Sequence, residues 1–244
     1  MTTLNVDKIN AYFLNIKRQS SFLSMLCNFF ESQKIEFGFL GGAVRMAITN
    51  STELPRDLDI VFDSDDKEFD IFLRKNNIEF RKNAFGGRKI KADNLLFDIW
   101  SLEHHHLISE KKYAKDFRNI SRTTFINYDS VFYNWTNQKL FGDYTECMET
   151  HLIDFVGNKK YQKYNTQSDI TICKLALLEA TGYSLSEDIK KYISDYVKSY
   201  FEDNSLFCKE EYFDSFVSNY TRHCGNKLDS KKREVIFKFI MSYL

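Results

Sequence analysis

Between Phe37 and Phe62 the chain reads FGFLGGAVRMAITNSTELPRDLDIVF, an order that few folds accommodate. A short apolar run ends in Gly41-Gly42. A helical-looking Ala43–Thr49 follows, and then a second apolar run carries Asp57 and Asp59. Side chains on a strand alternate faces, so residues two apart share a face at roughly 7 Å. Asp57, Asp59 and Val61 therefore point one way, and Leu58, Ile60 and Phe62 point the other, into a core. Two aligned acids repel, so the pair calls for a cation. Hard oxygen ligands at this spacing suit Mg²⁺ or Mn²⁺, which need few protein carboxylates when substrate phosphates supply the rest. Paired ions about 3.5–4 Å apart activate an attacking oxygen and neutralise a leaving one. The glycines let backbone N–H groups approach an anion, a helix start adds a favourable dipole, and Arg45 lies within reach of a phosphate.

The GG-x-VR run followed by RDLDIVF resembles the head domain of class II CCA-adding enzymes and bacterial poly(A) polymerases, within the polymerase-β-like nucleotidyltransferase superfamily. The resemblance covers roughly residues 35–190. It implies an α+β fold: a nucleotidyltransferase head with a mixed β-sheet backed by helices over 1–157, then a small all-helical neck and C-terminal region over 158–244. It also implies a third carboxylate about forty residues after the pair. Asp98, in the otherwise apolar Asn94–Ser101, stands there, where a charge needs a partner or a metal. The implied catalytic and metal-binding set is thus Asp57, Asp59 and Asp98. Gly41, Gly42 and Arg45 would hold the triphosphate. Ser121–Asn127 is similar to the family's RRDFTIN segment, so Arg122 and Asn127 are expected at ribose and phosphates. His151–Gly157 resembles the stretch that closes the head.

The implied activity is transfer of a nucleoside monophosphate from an NTP, ATP or CTP, to an acceptor hydroxyl at an RNA (tRNA) 3′ end. The alternatives are transfer onto a protein or small molecule, and a nucleotide-binding module without catalysis. Three departures bear on this. Met46 replaces an acid, and Ser121 and Thr123 replace an arginine and an aspartate. In the neck, Gln167-Ser168-Asp169-Ile170-Thr171 stands where the family has Glu-Asp-x-x-Arg. Ser168 and Thr171 cannot reproduce a charged base-reading pair, and a site without such groups discriminates less between bases. Only about sixty residues follow the neck, so a large RNA calls for the head itself, a homo-oligomer or a protein partner.

Elsewhere the reading is plainer. Residues 7–34 carry apolar side chains at helical spacing that would cover the back of the sheet. Asp66–Asn77 reads as a helix. Ile78–Lys82 and Arg88–Lys91 read as a hairpin whose Arg81, Lys82, Arg88, Lys89 and Lys91 form a solvated face, contact with a nucleic-acid backbone being the sharper alternative. His104, His105 and His106 read as a surface loop or helix start. Aromatic stripes at Tyr192, Tyr196, Tyr200, Phe213, Phe216, Phe237 and Phe239 read as helical core. Thirty-four basic against 34 acidic residues exclude a strong overall field for nucleic acid, though not a local patch. Five cysteines without metal-ligand spacing suggest reduced thiols. With no long apolar run and a polar start, the expectation is a cytoplasmic protein without a membrane partner.

Overall fold

A computed structural model describes residues 6–83, 86–157, 168–202, 209–224 and 228–244. The chain divides into two compact units, residues 1–145 and 146–244. The expected boundary after residue 157 borders a segment outside the described residues, and Gln167 lies within that segment.

The first unit is built on a sheet of seven strands: β1 (Phe37–Leu40), β2 (Asp57–Phe62), β3 (Arg81–Lys82), β4 (Arg88–Ala92), β5 (Leu95–Ser101), β6 (Phe132–Asn134) and β7 (Lys139–Phe141). Their order is β3-β4-β5-β2-β1-β6-β7. Only β2 and β5 run parallel, and every other pair is antiparallel, which makes the sheet mixed. Helices α1 (Val6–Gln19) and α2 (Ser21–Ser32) break at Ser20, whose hydroxyl caps α2 by accepting from Leu23 N at 3.0 Å. Asp93, in the tight turn between β4 and β5, accepts from Ser20 Oγ and from Phe22 N, each at 2.8 Å, and so fixes α2 to the sheet.

The two helices cover one face with aromatic rings. Phe13 stacks on Phe39 at 4.0 Å, and Phe30 meets Phe37 at 4.8 Å and Phe62 at 5.3 Å. Helix α4 (Asp66–Lys75) adds Phe69, 4.7 Å from Phe62. The strand β1 sits so close to β6 that a Cβ on Gly38 would lie 2.4 Å from Tyr133 O, which is why the run has glycine between its two phenylalanines.

The opposite face bears the acids. Val61, expected beside them, is buried there under Leu102, Ile108, Phe117 and Ile120. These come from the irregular 102–123 segment, including helix α5 (His106–Ser109), which roofs one end of that face. One sequence reading is corrected in this unit. Arg88 is fully buried rather than on a solvated hairpin face, because α4 supplies Asp66 and Asp70 to meet it. The three histidines, read as a surface loop or helix start, do lead into a helix, since His106 opens α5. His104 Nδ1 lies 2.7 Å from Asp66, whereas His105 turns its Nδ1 into the protein, where it has no partner.

His105 carries a pH prediction. The residue is half-buried, and burial, followed by the charge of His106, pushes its pKa down to about 4. The unfolded chain, with a histidine near pH 6.5, takes up the proton first. The stability held above about pH 6.5 is therefore lost as pH falls towards 4. From pH 7 to 4.5, wild type should lose about 2 kcal/mol more than His105→Phe, allowing for the residue's partial exposure. Urea unfolding at the two pH values checks this, and equal losses in both proteins would count against it.

The second unit holds α7 (Ser168–Glu179), α8 (Glu187–Glu202), α9 (Lys209–Cys224) and α10 (Ser230–Met241), with a small parallel pair, β8 (Leu152–Ile153) and β9 (Ser184–Leu185). Helix α6 (Tyr144–Thr150) spans the border between the units. Ile172, Leu175, Ile189, Ile193, Phe216, Ile236 and Ile240 form the core. Tyr192, Tyr196 and Tyr200 stack as a half-buried ladder along α8 rather than a closed core, with centroids 6.3 and 6.1 Å apart. Asp169 accepts from Asn219 at 2.6 Å, joining α7 to α9.

Candidate active site

The site grows from strand register. Leu40 on β1 pairs with Asp59 on β2, so the chain turns at Gly41 directly beside that carboxylate. A Cβ on Gly41 would stand 3.5 Å from Asp59 Oδ2, and Gly41 has φ +70, a conformation that side chains rarely adopt. Helix α3 (Gly42–Ile48) starts at this turn. On the other side of β2, Asp59 is the register partner of Asp98 on the parallel β5, and Asp57 is that of Leu96. Adjacent strands lie about 4.8 Å apart, so the three carboxylates share one face within a small area.

Their electrostatics follow from this crowding. Part of Asp59 still reaches solvent, but protein surrounds its carboxylate. Burial first, then the charges of Asp57 and Asp98, push its pKa up to about 7 against the pull of Arg45 and Lys89. Burial also raises the pKa of Asp98, with Lys89 opposing it. Asp98 Oδ2 meets Lys89 Nζ at 3.1 Å, while its Oδ1 is buried without a hydrogen-bond partner. Asp57 pairs with Arg56, the residue before it.

The donor set fits a hard divalent cation: three carboxylates on one face, one with an orphaned buried oxygen and one whose charge is disfavoured until a positive ion relieves it. As the side chains stand, Asp57 and Asp98 lean on Arg56 and Lys89. Among the described residues no three His, Cys, Asp or Glu side chains are arranged to hold a metal ion. Binding one requires rotamer changes at the two paired aspartates.

Arg45 lies in the middle of α3. Its Nη1 donates to Asp129 at 2.7 Å, and the guanidinium lies over the Tyr128 ring at 4.7 Å. Its Nη2 is next to the turn, 3.8 Å from where a Gly42 Cβ would be. Asn127 opens the short turn Asn127–Asp129 that supplies this partner. Arg122 is exposed on the preceding turn, Ser121–Thr123, and makes no ion pair among the described residues. The structure thus joins the three acids to Gly41, and Arg45 to the 127–129 turn. Sequence reasoning missed Asp129 and Lys89. The alternation Arg88-Lys89-Ile90-Lys91 did signal that Lys89 faces away from the core, and hence towards the acids.

No family model matches the chain, and no curated protein does. Solved structures do. A CCA-adding enzyme in an apo form matches with TM-score 0.64 at 13% identity, over 99% of this chain and 53% of that one. A tRNA nucleotidyltransferase complexed with a primer tRNA and an incoming ATP analogue matches with TM-score 0.61 at 12% identity, over 88% and 59%. The Thermotoga maritima CCA-adding enzyme complexed with tRNA matches with TM-score 0.58 at 11% identity, over 88% and 49%. The fold is that of a nucleotidyltransferase head followed by a helical region. At these identities the likeness is one of fold, and the chain spans about half the length of the chains it matches.

Proposed function

We propose that this chain is a metal-dependent nucleotidyltransferase that moves a nucleoside monophosphate from an NTP to the 3′ hydroxyl of an RNA of the tRNA kind, releasing pyrophosphate. The observation that carries this reading is the alignment of Asp59 with Asp98 on parallel strands, beside the Gly41 turn. The likeness in fold to enzymes solved with CTP, with ATP and with tRNA supports it.

In this reading residues 1–157 form the catalytic head and 158–244 the neck and C-terminal region. Asp57, Asp59 and Asp98 would hold Mg²⁺ or Mn²⁺, whose charge when bound neutralises the phosphates and makes the acceptor hydroxyl more acidic. Gly41 and Gly42 let the backbone approach the triphosphate. Arg45 presents Nη2 to it while Asp129 and Tyr128 keep the guanidinium in place. Arg122 and Asn127 serve ribose and phosphate. The orphaned Oδ1 of Asp98 takes the proton of the acceptor hydroxyl as the hydroxyl oxygen bonds to the α-phosphorus and the bond to the pyrophosphate oxygen breaks. Catalysis of this type is mostly positioning and charge neutralisation. The buried thiols of Cys27, Cys147 and Cys173 suit a reducing, cytoplasm-like compartment.

The test incubates the protein with Mg²⁺ or Mn²⁺, a mixture of cellular RNA and protein, and each of the four α-labelled NTPs in turn, beside Asp57→Ala. Acid-dependent label in an RNA band is the expected result, and the nucleotide that gives it sets the specificity. Label in a protein band moves the acceptor to the other class, and no acid-dependent label in any fraction overturns the activity.

A further inference from the structure

The acid face does not end at Asp98. Asp98 pairs in register with Lys89 on β4, and Lys89 with Arg81 on β3. Register partners project to the same face, so Asp59, Asp98, Lys89 and Arg81 form one row running from the carboxylates to the edge of the sheet. The neighbouring row runs from Asp57 through Leu96 to Lys91. Arg88 and Ile90, on either side of Lys89, take the opposite face and are buried. Arg81, Lys89 and Lys91 are exposed.

Asp98 is the only acid that β3, β4 and β5 carry. Beyond it the face turns wholly basic, across about three strand spacings from Asp59, roughly 14 Å. Lys82, on the other face, is held by Asp70 at 2.6 Å, whereas Arg81 and Lys91 make no ion pair among the described residues. Leu96 lies between the rows, 47% exposed, as an apolar patch inside the basic strip. Cations spaced along a line with an apolar surface among them match a single nucleic-acid strand, with its regular phosphates and its base faces. A neutral chain that lacks a general field would need such a local strip to hold a polyanion.

We propose that this strip binds the single-stranded 3′ end of the acceptor RNA, with phosphodiesters on Arg81, Lys89 and Lys91 and a base face on Leu96, delivering the terminal hydroxyl to Asp98. The assignment rests on the function proposed above and names where its acceptor lies.

The test needs no chemistry. An RNA hairpin with a labelled single-stranded 3′ tail is titrated with the full chain in chelator at several salt concentrations, followed by fluorescence anisotropy. Arg81→Gln/Lys91→Gln should weaken binding about tenfold. It should also flatten the plot of log affinity against log salt by about 1.4, since each single-strand phosphate contact contributes about 0.7. Lys190→Gln/Lys191→Gln, which removes two exposed lysines on α8, should change neither quantity. No binding by wild type, equal binding by the strip variant, or displacement by an acidic peptide as effective as the RNA tail would each overturn the proposal. A wild type that binds through the strip but labels no fraction overturns the nucleotidyltransferase reading and leaves the strip standing.

Discussion

Asp59→Asn is expected to abolish nucleotide transfer and, in the same molecule, to make the metal-free protein more stable at pH 8. The two effects have one cause. Asp59 is crowded by protein and by Asp57 and Asp98, and its pKa is raised to about 7. The unfolded chain, with an aspartate near pH 3.9, gives up that proton first. Between about pH 4 and 7 the native state therefore holds more protons, and stability falls as pH rises. At pH 8 the native chain carries the full cost of a crowded charge, on the order of 2–4 kcal/mol once the partial exposure of the residue is allowed for. Asparagine keeps the shape and removes the charge. Urea unfolding in chelator should show the variant ahead of wild type at pH 8, with the gap closing towards pH 4. Transfer should fall by at least about 10³-fold, the order seen when a group that acts on transition-state charge is removed. Added Mn²⁺ should raise the melting temperature of wild type and leave that of the variant unmoved. A variant less stable than wild type at pH 8 would make Asp59 a structural acid, and one that keeps full activity would remove it from the chemistry.

What the sequence made legible was what strand and turn periodicity encode locally. The two-residue spacing of Asp57 and Asp59, the glycines before a short helix and the apolar spacing of residues 7–34 each depend on neighbours in the chain, and each appears in the structure. Asp98 came from a resemblance rather than from its surroundings. Only the parallel register of β2 and β5, a pairing across some forty residues, puts it beside Asp59. The partner of Arg45 was hidden for the same reason: Asp129 lies more than eighty positions away and reaches α3 through β6. Val61 was placed by alternation on the acid face, which is where it lies, but alternation says nothing about the 102–123 segment that covers it. The basic hairpin was misread because charge alone suggests solvent. Arg88, on the buried face of β4, is the one whose partners come from helix α4.

Arg88→Met is accordingly expected to be the most destabilising single change in the first unit. Its guanidinium is fully buried. Nε donates to Asp70 at 2.8 Å, Nη1 to Asp66 and to Gly86 O at 3.0 Å, and Nη2 to Asp66 O at 3.2 Å, while the ring of Phe69 lies 5.9 Å away. This fork fastens β4 to the first turns of α4. Burial pushes the pKa of Asp70 up, but the bonds from Arg88 and Lys82 outweigh that and hold it below the usual carboxylate range. Without Arg88 two carboxylates remain in a half-closed space with only Lys82 and His104 to meet them, a loss of about 3–5 kcal/mol. Arg88→Lys should recover little, since one ammonium cannot reach acceptors set around a planar fork. Arg88→Met/Asp66→Asn/Asp70→Leu removes the charges together and should regain most of the loss, because apolar packing commonly replaces a buried ion cluster at little cost. Denaturant unfolding of the three variants separates a broken ion cluster from a simple packing defect, which the triple change would deepen rather than repair. The next residue on β4 is Lys89, the partner of Asp98. Arg88 thus turns the following side chain towards the acids, and the triple variant, stable but held less tightly at β4, should lose affinity for the RNA tail ahead of any loss of fold.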